Sequence, residues 1–190
     1  MSYLINSGRK NFCKSSQGGI KKVYLAGFVP YTRNEFGFDN LVLTYIPTTY
    51  VYEFELVGNN NTFSNSYNGE SYSQSLNVEF RKQDLQTTKQ MESLNYMELR
   101  ALILDNNGNY LVFGLDNGLT SSSLEIVTGG SKGEFNGYRL QFSGMEKHTS
   151  PLVLNPFEIG FVLAEENADF YQFQDLSAFL FQDGTPYYFN

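Results

Sequence analysis

From Gly137 the chain alternates strictly, with Tyr138, Leu140 and Phe142 on one side and Arg139, Gln141 and Ser143 on the other. A period of two is the signature of a half-buried strand. The same period runs through Tyr72, Gln74, Leu76, Val78 and Phe80, set against Ser73, Ser75, Asn77, Glu79 and Arg81. It also runs through Tyr50, Tyr52, Phe54 and Leu56, set against Val51, Glu53, Glu55 and Val57. Shorter apolar runs predict further strands: Val23 to Val29, stopped by Pro30; Leu41 to Ile46, stopped by Pro47; Leu119 to Thr128; and Phe157 to Ala164. Leu99 to Asp105 and Asn109 to Leu115 read as a central hairpin.

Turn chemistry punctuates these runs. Asp105-Asn-Asn-Gly108, Asp116-Asn-Gly118 and Asn136-Gly137 supply the positive φ angles of tight turns, and each flanks alternating residues in the manner of a hairpin. The period changes once. Over Asp84 to Met97, Leu85, Thr88, Met91 or Glu92, and Leu94 recur at spacings of three and four, with Asp84 placed to cap. This predicts one helix, with a narrow apolar stripe that lies on a sheet or across an open end. The polar run Gly58 to Gly69 is long for a hairpin connection, so 58–71 reads either as an interaction loop or as a merely mobile one.

Apolar strand faces must be covered by a second layer. The expected fold is therefore mainly β: an antiparallel β-sandwich with one flanking helix and extended N- and C-terminal segments. The expected division is an arm over 1–20, a sandwich over 21–164 with its helix near 84–97, and an aromatic, acidic segment over 165–190. That last segment carries a repeat, Phe173-Gln-Asp followed eight residues later by Phe181-Gln-Asp, and so aromatic a stretch needs a covering surface.

With 190 residues, 17 Phe, 14 Tyr and no Trp, the chain is large enough for one core, and its aromatic bias favours sheets over bundles. The single Cys13 excludes an internal disulfide framework, and the first residues lack the basic and apolar regions of a secretory signal. No apolar run approaches the ~18–20 residues of a membrane span. These features predict a soluble protein assembled in a cytoplasm, with no membrane partner.

The net charge of −7 conceals a segregation. Arg9, Lys10, Lys14, Lys21, Lys22 and Arg33 precede the first acid, leaving seven bases against 20 acids in the remainder, and no base follows Lys147. A basic leading segment and an acidic end suit head-to-tail contact between copies; a solvated terminus is the plain alternative. Candidate subunit contacts are thus Arg9, Lys10, Lys14, Lys21 and Lys22, with Phe63, Tyr67 and Tyr72 around the polar run and Phe173, Phe181 and Tyr187 in the terminal segment. A body this acidic is a poor nucleic-acid binder, since counterion release requires a basic surface.

Chemistry-bearing patterns fail one after another. Cys13 and His148 could form a nucleophile and base, but nothing around either completes a motif, and His148 sits in a polar Glu-Lys-His-Thr-Ser-Pro turn. Asp105-Asn-Asn-Gly-Asn109 resembles a calcium loop only until its sixth position, which is Tyr110 in place of glycine. Gly129-Gly130 and Gly133 lack the lysine-serine step of a phosphate loop, and one Cys with one His makes no zinc site. Glu53 and Glu55 share a strand face without contrasting environments. The expectation is a non-enzymatic protein with no cofactor and no metal.

The stretch Gly18-Gly-Ile-Lys-Lys-Val-Tyr-Leu-Ala-Gly-Phe28 behind a basic arm, with Asp105-Asn-Asn-Gly-Asn-Tyr110 and Phe135-Asn-Gly-Tyr-Arg-Leu-Gln-Phe-Ser-Gly-Met-Glu146, resembles virion structural proteins of tailed bacteriophages. It is most similar to the tail-tube or ring proteins of crAss-like short-tailed phages. The resemblance covers most of residues 8–146, and the C-terminal repeat stands outside it. It implies a tail or neck subunit in the virion that closes with copies of itself into a six- or twelvefold ring. That ring would contact neighbouring tail proteins and pass DNA through an acidic channel without sequence-specific binding. A competing class is a β-sandwich module that binds carbohydrate or a receptor through exposed aromatics.

Overall fold

A computed structural model describes residues 16–56 and 60–164. Twelve strands and one helix occupy them: β1 Ile20–Gly27, β2 Gly37–Asp39, β3 Val42–Tyr45, β4 Thr49–Glu55, β5 Thr62–Tyr67, β6 Tyr72–Arg81, α1 Leu85–Tyr96, β7 Leu99–Asp105, β8 Tyr110–Phe113, β9 Thr120–Thr128, β10 Asn136–Glu146, β11 Leu152–Val153 and β12 Phe161–Leu163. They form an eight-stranded sheet ordered β12-β4-β1-β7-β8-β11-β3-β2 and a four-stranded sheet ordered β5-β6-β10-β9. The fold is mainly β with one helix, as the periodicity predicts. Two short pairings, β11 with β3 and β12 with β4, are parallel.

The small sheet follows the alternation closely. Leu76, Val78 and Phe80 of β6 lie opposite Phe142, Leu140 and Tyr138 of β10, and all six point into the space between the sheets. There they meet Val23 and Leu25 of β1 and Leu99, Ala101 and Ile103 of β7.

The large sheet departs from a two-layer picture because both of its faces are buried. Tyr24 and Ala26 of β1, Leu102 of β7 and Val112 of β8 face away from the small sheet, into a second core closed by Phe36, Leu43, Ile46, Val153 and Phe161. Every residue of β7 is buried. A strand covered on both sides loses its alternation and reads as a continuous apolar run, which is why Leu99–Asp105 shows none.

Asp84 caps α1 as predicted: its carboxylate accepts from the Thr87 amide at 2.8 Å and from the Thr87 hydroxyl at 2.7 Å. These bonds hold its pKa below the ordinary carboxylate value. The stripe is narrower than expected. Met91 and Leu94 are buried and Thr88 bonds the Tyr138 hydroxyl at 2.6 Å, whereas Leu85 is 74% exposed. Leu85 occupies the first turn, beyond the edge of the core.

Four sequence expectations are corrected. The polar run is not a loop throughout: Thr62–Tyr67 is β5, paired with β6 in unbroken register from Thr62↔Asn77 to Tyr67↔Tyr72. The Asn68-Gly69 step closes that hairpin, so cross-strand pairing outweighs the poor strand propensity of Asn and Ser. Asn136-Gly137 is not a turn but the start of β10, where a Cβ on Gly137 would fall 1.9 Å from the Phe80 carbonyl oxygen. Glycine is needed there for close backbone approach. Asp116-Asn-Gly118 does not close a hairpin either, because it carries the chain from β8 in one sheet to β9 in the other. The Phe157–Ala164 strand also shrinks to β12, preceded by a short 3-10 turn at Pro156–Glu158.

Candidate assembly interface

Four strands lie at sheet edges. β2 and β12 are three residues long, and β2 is bulged and carries Asp39. Shortness, bulges and charge are the usual guards against edge-to-edge pairing. In the small sheet β5 lacks all of these, whereas β9 keeps a bulge and a charge and has α1 packed against it, with the Ser121 hydroxyl donating to Asn95 Oδ1 at 2.7 Å. β5 runs six residues in unbroken register, and residues 60–69 contain no charge and no proline. β9 runs nine residues with Glu125 as its only charge; its one irregularity is a register shift opposite Gln141 and Phe142.

The outward face of the small sheet is set by register. Thr62, Ser64 and Ser66 of β5 align with Asn77, Ser75 and Ser73 of β6, and Gln141 and Ser143 of β10 continue the rows. Its charges are largely paired: Arg139 Nε donates to Glu79 at 2.9 Å, and Arg139 Nη1 lies 4.0 Å from Glu125. This face is wide, rich in hydroxyls and amides, and close to neutral.

The Asp105–Asn109 turn does more than reverse the chain. Asn107 Oδ1 accepts from the Gln17 amide at 2.8 Å and its Nδ2 donates to the Gln17 carbonyl at 2.9 Å, while Asn106 Nδ2 donates to the Gly18 carbonyl at 2.7 Å. The turn thereby clasps residues 17–18 and fixes where the N-terminal segment enters β1. Asp105 organises the clasp by accepting from the backbone and side-chain N–H groups of Asn107 and Asn109. Burial opposes its charge, but these donors outweigh burial and hold its pKa below the ordinary value.

A polar cluster at the crossover turn ties the two sheets, buried at Glu146 and Arg100 and exposed at Arg33. Glu146, 2% exposed at the end of β10, accepts from the amides of Asp116 and Asn117 in the crossover turn at 3.1 and 3.0 Å. Asp116 in turn takes a two-pronged contact from Arg33 Nη1, at 2.9 and 3.2 Å. Beside them Arg100, 1% exposed, donates from Nη2 to the carbonyls of Val29 and Leu115 at 3.1 and 2.9 Å. Its guanidinium lies 5.1, 5.3 and 5.9 Å from the rings of Phe28, Tyr31 and Phe36. Burial pushes Glu146 up to about 6 and Arg100 down to about 10, so Arg100 keeps its charge at neutral pH.

The predicted contact residues fall in three places. Arg9, Lys10, Lys14, Phe173, Phe181 and Tyr187 lie outside the described residues, as does Cys13. Lys21 is exposed on β1, and its neighbour Lys22 is ion-paired with Glu53. Of the aromatics, Phe63 turns inward and packs edge-on against Phe113 with ring centres 5.5 Å apart, a core contact. Tyr67 is 62% exposed at the hairpin tip and lies against Tyr72 with the rings tilted at 43° and their centres 5.0 Å apart. His148 is exposed. Among the described residues no group of three or more His, Cys, Asp or Glu is placed to hold a metal, and no helix is long and apolar enough to cross a membrane.

Sequence reasoning passed over β5, the Asn106 and Asn107 clasp, and Arg100. The only signals were the absence of charge over 60–69, the density of Asn in the turn, and one cation inside an apolar run. Comparison with protein-family models, with curated proteins and with solved structures gives no match to this chain.

Proposed function

We propose that this protein is a non-enzymatic structural subunit that closes with copies of itself into a ring by pairing the β9 edge of one copy with the β5 edge of the next. The observation that carries the reading is the pair of long edges on one small sheet, of which β5 has no charge, bulge or proline. Successive strands of that sheet are antiparallel, so β5 and β9 run in opposite directions. A rotated neighbour therefore continues the antiparallel order without a break. Such a contact joins two different surfaces, and repetition by a closing rotation generates a ring. Closure also removes both edges, the one arrangement that abolishes them outright.

The outward face of the small sheet would then line the channel. A wall of hydroxyls and amides, with Arg139 balanced by Glu79 and Glu125, offers phosphate few uncompensated cations to bind. That suits passage of DNA through a phage tail or neck, the setting suggested by the resemblance of residues 8–146, with a near-neutral wall in place of an acidic one. The basic residues of the arm, by their charge, would contact a neighbouring copy or an adjoining tail protein.

A second reading, a module that stacks sugars, draws on Tyr50 and Tyr52, which are exposed two positions apart on β4. Native mass spectrometry of the full chain and of a Ser64→Lys/Ser66→Lys variant separates the two. The ring reading expects a discrete large oligomer for the first and a folded monomer for the second. A variant that assembles as well as the parent sinks the β5 contact, and a parent that stays monomeric while binding glycans favours the second reading.

A further inference from the structure

The sequence contains four Asn-Gly steps, at Asn68, Asn107, Asn117 and Asn136. Such a step can cyclise, because a glycine amide has no side chain to hinder its attack on the preceding asparagine side chain. The structure treats the four very differently.

Three are held. Asn107 spends its side-chain groups on Gln17 and Asp105, and the Gly108 amide donates to the Asp105 carbonyl at 3.2 Å. Asn117 donates from Nδ2 to the Met145 carbonyl at 2.7 Å. Asn136 donates from Nδ2 to Thr128, and Gly137 is registered between Arg81 and Val127 inside the sheet.

The Asn68 side chain is held differently, through its oxygen alone. Both Asn68 and Gly69 are exposed at the tip of the β5–β6 hairpin, and a Cβ built on Gly69 meets nothing within 4 Å. Asn68 Oδ1 accepts from the Ser71 amide at 2.8 Å, the Glu70 amide at 3.1 Å and the Ser71 hydroxyl at 3.3 Å. Three donors on one carbonyl oxygen polarise its carbon and would stabilise negative charge developing on that oxygen, the arrangement of an oxyanion hole. The turn holds Asn68 through Oδ1 and its backbone amide, and Gly69 through its carbonyl, which accepts from the Tyr67 hydroxyl, while no hydrogen bond engages Asn68 Nδ2 or the Gly69 N–H among the described residues.

We infer that Asn68 is a self-modification site, where the hairpin tip promotes intramolecular deamidation. Hydroxide removes the Gly69 amide proton, and that nitrogen attacks Asn68 Cγ while the charge on Oδ1 is held by the Glu70 and Ser71 donors. The new N–Cγ bond forms as the Cγ–Nδ2 bond breaks, and ammonia leaves with a proton from water. Water then opens the succinimide at either carbonyl, leaving aspartate or isoaspartate at position 68. No oxidant, metal or second protein takes part, so the step does not depend on ring assembly. Its product places a negative charge at the end of β5, an edge whose flanking residues 60–69 carry none.

The test is peptide mapping of the full folded chain held in mildly alkaline buffer, following a mass gain of about 1 Da at each asparagine. In the folded protein, position 68 is expected to react about tenfold faster than the other three, and faster than it does itself in urea, where the donors are lost. Ser71→Ala, checked for an unchanged fold by circular dichroism, is expected to slow position 68 severalfold. A position 68 that reacts more slowly folded than unfolded overturns the inference, as does one that keeps pace with positions 107, 117 and 136 in the folded chain.

Discussion

Replacing Glu146 with Gln tests the inter-sheet cluster quantitatively. Burial raises the Glu146 pKa most, and the nearby Asp116 carboxylate adds to it; the Asn117 and Asp116 amides and the Arg100 charge pull the other way without cancelling the rise. The folded value is about 6 against 4.5 for the free group, which is worth about 2 kcal/mol. The sign follows from linkage. A group whose folded pKa is raised contributes its stability fully below the unfolded value and loses it as pH climbs through the folded value. Glu146 therefore makes the protein less stable at pH 7 than at pH 4 by about 2 kcal/mol, before other groups are counted. A glutamine keeps an oxygen for the Asp116 and Asn117 amides but carries no charge, so Glu146→Gln should flatten this part of the profile. Urea unfolding of both proteins from pH 4 to 8 gives two curves, and subtraction removes the carboxylates they share. The difference should shift in the variant's favour by about 2 kcal/mol on going from pH 4 to 7.5, or about 4–8 °C in Tm for a chain of this size. Parallel curves would refute the reasoning, because they would mean that Glu146 titrates alike in the folded and unfolded chain.

Other outcomes follow from single contacts. Asp84→Ala removes the α1 cap and should lower the midpoint of urea unfolding; an unchanged midpoint would mean that tertiary packing alone holds the helix start. Arg100→Met removes a cation that lowers the Glu146 pKa, so a carboxyl signal of Glu146 followed by NMR should titrate above its parent value of about 6, and an unchanged midpoint would uncouple the pair. Asn106→Ala/Asn107→Ala should raise hydrogen exchange at Gln17 at least about tenfold while β10 stays protected; equal protection would show that the clasp does not hold the arm.

The sequence was most legible where one face is buried and the other is wet. β6 and β10 carry their alternation openly, and the helix announces itself through the change of period and Asp84. Legibility failed where covering is double or pairing is supplied from outside. β7 buries both faces, so its alternation vanishes and Arg100 sits unremarked among apolar neighbours, although the rings of Phe28, Tyr31 and Phe36 make that place tolerable for a cation. β5 is held by β6 and by Phe63 on Phe113, neither of which its own Ser- and Asn-rich residues disclose. Turn residues gave the positions of chain reversal better than their consequences: the chemistry of Asp116-Asn-Gly118 permits positive φ but does not say which sheet the chain enters next.

Cryo-electron microscopy of the purified full chain bears most directly on assembly through the small sheet. The edge-pairing reading predicts closed annular particles in which β9 of each copy abuts β5 of the next and the Ser75, Asn77 and Gln141 face lines the channel. Single copies at concentrations of tens of micromolar, or rings that carry the small sheet on their outer wall, would contradict it.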